Sequence, residues 1–62
     1  MDQKKFGSFL RELRKEKQLT QEQLAERFGV TSRSVSRWET GSNMPDLSIL
    51  VELAEMSRSE ER

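Results

Sequence analysis

The sequence has no cysteine and no histidine. Disulfides, zinc fingers, thiol catalysis and histidine acid–base chemistry are therefore excluded. No metal site and no cofactor is expected. Long apolar runs are missing too, the longest being Ile49-Leu50-Val51. A membrane-spanning helix needs about 20 consecutive apolar residues, and the core of a signal peptide about 7–15. The expectation is a soluble, cytoplasmic protein with no membrane partner. Net charge is also absent, since 11 Lys/Arg balance 11 Asp/Glu. The strongly basic balance common in nucleic-acid binders is not there. Nor is there a glycine-rich phosphate loop or a carboxylate pair placed for a cleft. A small domain rarely encloses a ligand pocket of about 300 Å³, and the chain is not expected to be an enzyme.

What is present is a single short domain of 62 residues, 32% hydrophobic and 35% charged. Its apolar residues are periodic, which argues for a folded chain over a disordered one. A core of this size supplies only about 3–5 kcal/mol. The charge is unevenly spread. Residues 1–19 carry six Lys/Arg against three Asp/Glu, residues 20–40 three of each, and residues 41–62 two against five. The chain is basic at its start and acidic at its end. A surface that binds DNA must draw on the basic part, and its binding should fall steeply with salt.

Four helices are expected. Asp2 caps the first, in which Phe6, Phe9, Leu10 and Leu13 fall at i, i+3, i+4 and i+7 as one apolar stripe. Gly7 inside it costs about 1 kcal/mol relative to Ala, and reads equally as a close helix approach or as a tolerated glycine. Leu19 anchors the entry to the second helix. Thr20 caps that helix and forms a capping box with Gln23. Leu24, Ala25 and Phe28 are its apolar face, and Gly29 ends it. Val30 plugs the turn. Thr31 caps a third helix reaching about Thr40, with Val35 and Trp38 inward, and Gly41 ends it. Residues 42–45 form a loop. Asp46 caps a fourth helix with Leu47, Leu50, Val51 and Ala54 inward and Ile49 and Leu53 at the edge. Residues 57–62 are a polar tail without an apolar anchor.

Residues 20–41 thus read as two short helices joined by a tight turn at Gly29, the layout of a helix-turn-helix. With Val35 and Trp38 inward, the third helix shows Ser32, Arg33, Ser36 and Arg37 to solvent. Arg33 and Arg37 are i, i+4 and share one face. Arginine is the side chain best suited to read guanine O6 and N7 together. Small serines let the helix backbone approach a groove floor. Helix N-termini at Gln21 and Ser32 offer free N–H groups to phosphates.

The pattern T-Q-x-x-L-A-x-x-x-G-V, followed by V-S-x-W-E-x-G and then PDLSILVELAE, resembles the phage repressor and Cro-type helix-turn-helix family, the XRE family. The similarity covers about residues 5 to 56. It implies an all-α, compact four-helix bundle of the λ-repressor kind, with residues 1–56 as the DNA-binding domain. It implies that Ser32, Arg33 and Arg37 face base edges with Ser36 nearby. It implies that Gln21 bonds a phosphate and braces the recognition helix. Thr31 and Ser34 would touch the DNA backbone, and Thr40, Ser42 and Asn43 would grip a second phosphate stretch. Ala25 would be small because helices two and three cross there, and Arg14 and Glu39 would form a structural ion pair. The family usually has a fifth helix that completes the core or forms the dimer contact. No apolar stripe remains for one after Ala54, so the fifth helix is missing or truncated. A homodimer would need that missing segment or an external one.

The function these features imply is a sequence-specific, double-stranded DNA-binding transcriptional regulator. The alternative is a protein-interaction module of the same fold, of antitoxin or adaptor type. Zero net charge and the acidic residues Asp46, Glu52 and Glu55 leave room for it.

Overall fold

Each helix starts where a side-chain oxygen can take one of its first free N–H groups. A computed structural model of the chain describes residues 2–58. It contains α1 (Gln3–Glu16), α2 (Gln21–Phe28), α3 (Ser32–Thr40) and α4 (Leu47–Arg58), with no strand among the described residues. The Asp2 carboxylate accepts from the Lys4 N–H at 2.9 Å. Thr20 Oγ1 accepts from the Gln23 N–H at 3.1 Å, and Gln23 Oε1 from the Thr20 N–H at 2.9 Å. Thr31 Oγ1 takes the Ser34 N–H at 3.2 Å and Asp46 Oδ1 the Ile49 N–H at 3.3 Å. Caps of this kind each contribute about 1 kcal/mol, a large share for a small domain.

The first three helices end in the same way. The chain turns left-handed at Gln18, Gly29 and Gly41, with φ of 58°, 70° and 85°. The next N–H then reaches back to a carbonyl five residues earlier: Leu19 to Arg14 at 3.0 Å, Val30 to Ala25 at 2.9 Å, and Ser42 to Arg37 at 2.9 Å. This is the Schellman closure. Two of its three left-handed positions are glycine. The third is Gln18, whose Cβ makes that conformation costly.

Phe6, Leu10 and Leu13 of α1, Leu24 and Ala25 of α2, Val35 and Trp38 of α3, and Leu53 and Met56 of α4 form one buried cluster. Gly7 decides how closely α1 and α3 pack. A Cβ placed there would overlap the Glu39 carbonyl, 2.7 Å from its carbon and 2.8 Å from the Trp38 carbonyl oxygen. The close-approach reading of Gly7 therefore holds, and the tolerated-glycine reading does not. The obstructing atoms are backbone, which cannot swing aside.

Two expectations are corrected. On α4 the inward residues are Leu53 and Met56, with Ile49 and Leu50 half-buried; Leu47 is 74% exposed, Val51 50% exposed, and Ala54 is also exposed. The helix is apolar around most of its circumference, so two stripes compete. The stripe expected inward, Leu47, Leu50, Val51 and Ala54, has the same helical spacing as its rival. The one through Ile49, Leu53 and Met56 is the one the core takes. On α1, Phe9 is 45% exposed. Phe6, Leu10 and Leu13 at i, i+4 and i+7 already fill the face toward the core. Phe9 falls to one side, in an open groove of about 570 Å³ with Phe6, Leu50 and Ala54. The first two residues of the polar tail, Ser57 and Arg58, continue α4; residues 59–62 lie outside the described residues.

Two substitutions should move stability against simple helix propensity. Gly7→Ala should destabilise by about 1–3 kcal/mol, the scale of overpacking, although Ala is favoured by about 1 kcal/mol in a helix. Gln18→Gly should stabilise by about 1 kcal/mol by relieving the left-handed strain. Urea unfolding monitored by Trp38 fluorescence measures both. A more stable Gly7→Ala protein would contradict the backbone contact.

Candidate nucleic-acid interface

The placement of α3 depends on an acid buried at its end. The Glu39 side chain is 1% exposed. Its Oε2 accepts from Arg14 Nε at 2.6 Å, and its Oε1 from Arg14 Nη2 at 3.2 Å. The Gln21 side-chain amide donates to Oε1 at 3.1 Å, and Arg11 Nε stands 3.7 Å from the same oxygen. Arg14 Nη1 also donates to the Leu19 carbonyl at 3.0 Å. One carboxylate thus binds α1, α2 and, through Arg14, the turn between them. Its acidity has opposed causes. Burial pushes the Glu39 pKa up. The hydrogen bonds from Arg14 and Gln21, with the charges of Arg14 and Arg11, outweigh burial and hold it below its ordinary value.

Arg14 and Glu39 therefore meet as a bidentate pair. The brace on α3 that the resemblance implied for Gln21 runs through Glu39; the part of Arg11 in the same network was not read from the sequence. A signal did exist, because Arg11 and Arg14 are three residues apart on one helix face and can converge on one acid.

The far side of α3 is open. With Val35, Trp38 and Glu39 buried, Arg33 and Arg37 are exposed and Ser32 and Ser36 half-buried. Among the described residues neither Arg33 nor Arg37 has an ion-pair partner. At the start of the helix, the half-buried Ser34 and exposed Thr31 join hydroxyls at 3.1 Å. At its end, Thr40 Oγ1 donates to the Arg37 carbonyl at 3.1 Å and meets Ser42 Oγ at 3.2 Å. Ser42 and Asn43 are exposed beside them. The Gln21 side chain is half-buried and turned to Glu39. The structure thus gathers Ser32, Arg33, Ser36 and Arg37 on one helix face. It places Thr31 and Ser34 at the beginning of that helix and Thr40, Ser42 and Asn43 at its end. This face can offer two exposed guanidinium forks flanked by hydroxyl groups. It holds no acid–base pair, and among the described residues no metal-ligating cluster exists. No helix among them is long and apolar enough to cross a membrane.

The Glu39 network predicts a defined pH response. A carboxyl held below its unfolded value stabilises the fold above about pH 4.3, the ordinary glutamate value. That stabilisation is lost as pH falls through the lower folded value. Thermal melts should show the wild type weakening on acidification and an Arg14→Met/Glu39→Met double variant weakening less. Arg14→Met alone should cost about 3–5 kcal/mol, because it strands a buried charge, and the double variant should recover much of that. Equal loss in the single and double variants would show that the pair is not coupled.

Comparison with known proteins agrees with this geometry. A family model described as helix-turn-helix matches residues 10–56. The HTH-type transcriptional activator BcrR of Enterococcus faecalis is 44% identical over 45 residues, covering 73% of this chain and 22% of that protein. The uncharacterized HTH-type transcriptional regulator YqaE of Bacillus subtilis (strain 168) is 35% identical over 49 residues, covering 79% of this chain and 42% of that protein. The chain thus spans less than half the length of either relative. No solved structure matches it significantly. With the matched segment running from Leu10 to Met56, through both helices of the motif and the turn between them, the chain belongs to the XRE-type helix-turn-helix family.

Proposed function

We propose that this chain is the sequence-specific DNA-binding domain of a transcription regulator. It inserts α3 into the major groove, where Arg33 and Arg37 read base edges, with Ser32 and Ser36 against the groove floor. Thr31 and Ser34 meet the DNA backbone at one end of the helix. Thr40, Ser42 and Asn43 meet it at the other. Gln21 stands at the start of α2, where helix N–H groups point outward. One observation carries this reading. The two arginines stand exposed and without ion partners on a helix whose opposite face is locked into the core. Guanidinium groups left free in this way form bidentate hydrogen bonds to guanine, each worth about 1–3 kcal/mol of discrimination.

A single copy reads one half-site. Two half-sites about 34 Å apart require a dimer, so the isolated chain should bind weakly and with strong salt dependence.

The test is selection of a preferred duplex from a random pool at low salt, followed by binding measurements on single-base variants. Arg37→Ala should weaken binding to the preferred site by about 1–3 kcal/mol and flatten preference at one base pair. Arg33→Ala should do the same at a neighbouring pair. Uniform weakening on every sequence would make Arg37 a phosphate contact only. A folded chain that binds no duplex at low salt would sink the DNA reading.

A further inference from the structure

We propose that Lys4 supplies the cation of the phosphate clamp at the end of α3, an inference that rests on the DNA-binding reading above. The face of α1 turned toward α3 carries Lys4, Gly7, Arg11 and Arg14, at i, i+3, i+7 and i+10. Gly7 lies against the Trp38 and Glu39 carbonyls, and Arg11 and Arg14 converge on Glu39. Lys4 is one turn earlier; its backbone N–H is taken by the Asp2 cap, but its ammonium pairs with no acid among the described residues. Its stem lies over Gly41 instead. A Cβ built on Gly41 would stand 3.1 Å from Lys4 Cγ and 3.4 Å from Lys4 Cα. Lys4 is exposed, and among the described residues its ammonium has no ion-pair partner.

The loop it borders lacks what a phosphate needs most. Residues 40–43 contain no charged side chain. The backbone N–H groups of Ser42 and Asn43 both point to the Arg37 carbonyl, at 2.9 and 3.4 Å. The Thr40 hydroxyl donates to that carbonyl as well, which leaves the Ser42 hydroxyl as donor in the Thr40–Ser42 contact. The donors of the loop are therefore largely committed to closing α3, apart from the Asn43 side-chain amide. Binding to a DNA backbone is driven by cations that displace condensed counterions. Lys4 is the unpaired cation whose stem reaches this loop.

Lys5 provides an internal control. It has the same charge and is the next residue, but it lines the groove with Phe9 and Leu50 on another side of α1. Removing either lysine changes net charge equally, so only position distinguishes them.

The experiment measures binding of the wild type, Lys4→Met, Lys5→Met and Lys4→Arg to the preferred duplex between 50 and 200 mM salt. Methionine keeps the stem over Gly41, and circular dichroism confirms the fold. Lys4→Met should flatten the slope of log affinity against log salt by about 0.9, one phosphate contact. The wild-type advantage should then shrink about 3.5-fold over that fourfold salt range. Lys5→Met should leave the slope unchanged, and Lys4→Arg should restore it. Equal, small effects of both methionine variants would overturn the proposal in favour of diffuse charge. An unchanged Lys4→Met slope, with Arg37→Ala still impaired, would overturn it while leaving the DNA reading intact. No binding by the wild type would overturn both.

Discussion

A carboxylate with almost no access to water decides where α3 lies. Glu39 sits in the last turn of α3 and is held by Arg14 and Arg11 of α1 and by Gln21 of α2. A buried ion pair adds little net stability, because desolvation offsets most of the attraction. What it does is penalise misplacement. If α3 slid or rotated, a charge would be stranded without partners, at a cost comparable to the whole stability of so small a domain. Hydrophobic contacts through Val35 and Trp38 hold α3 down, but they tolerate shifts that a bidentate pair does not. The direction in which Arg33 and Arg37 point is therefore set from the opposite side of the helix.

The same region shows how a neutral chain can face a polyanion. Lys4, Arg11 and Arg14 of α1 lie along the side that meets α3, and residues 41–62 hold five of the chain's 11 acids against two of its 11 Lys/Arg. Two of those cations are absorbed by Glu39 and become structural. Sequence net charge counts them as if they were available, and counts distant acids against them. For the DNA reading proposed above, local balance at the α3 face is the quantity that would act, since charges more than a Debye length away, about 8 Å at physiological salt, are largely screened.

Local rules were legible in the sequence wherever one residue has one task. Thr20 with Gln23, Thr31, Asp2 and Asp46 cap helices as their side chains require, and Gly29 and Gly41 take the left-handed turns. The layout of the candidate site, with Ser32, Arg33, Ser36 and Arg37 opposite Val35 and Trp38, followed from helical periodicity alone. What could not be read needed a third dimension. The phase of α4 depends on which of two apolar stripes meets the core, and periodicity cannot choose between them. The exposure of Phe9 depends on how much of α1 its neighbours cover. Gln18 hides a glycine-like turn behind a residue that does not advertise one. The bond from Gln21 to Glu39 joins residues eighteen positions apart, beyond the reach of any local pattern.

Five of the six arginines of the described region show what decides the fate of a cation in this fold. Arg14 is 15% exposed at its side chain and saturated with acceptors; Arg11 is half exposed and only leans on the same acid. Arg27 lies beside Glu52 and Glu55 of α4, in an acidic setting. Arg33 and Arg37 are carried on the exposed face of α3 and have no ion-pair partner among the described residues. Nothing intramolecular competes for those two guanidinium groups, so a ligand need not break an existing pair to engage them. The cost that remains is rotamer entropy, about 2 kcal/mol for a long side chain at most. Bidentate contacts offset that cost. A phosphate can also be held bidentately, so the physical reason to expect base reading at these two positions is their place on the exposed face of α3, opposite the face that packs on the core.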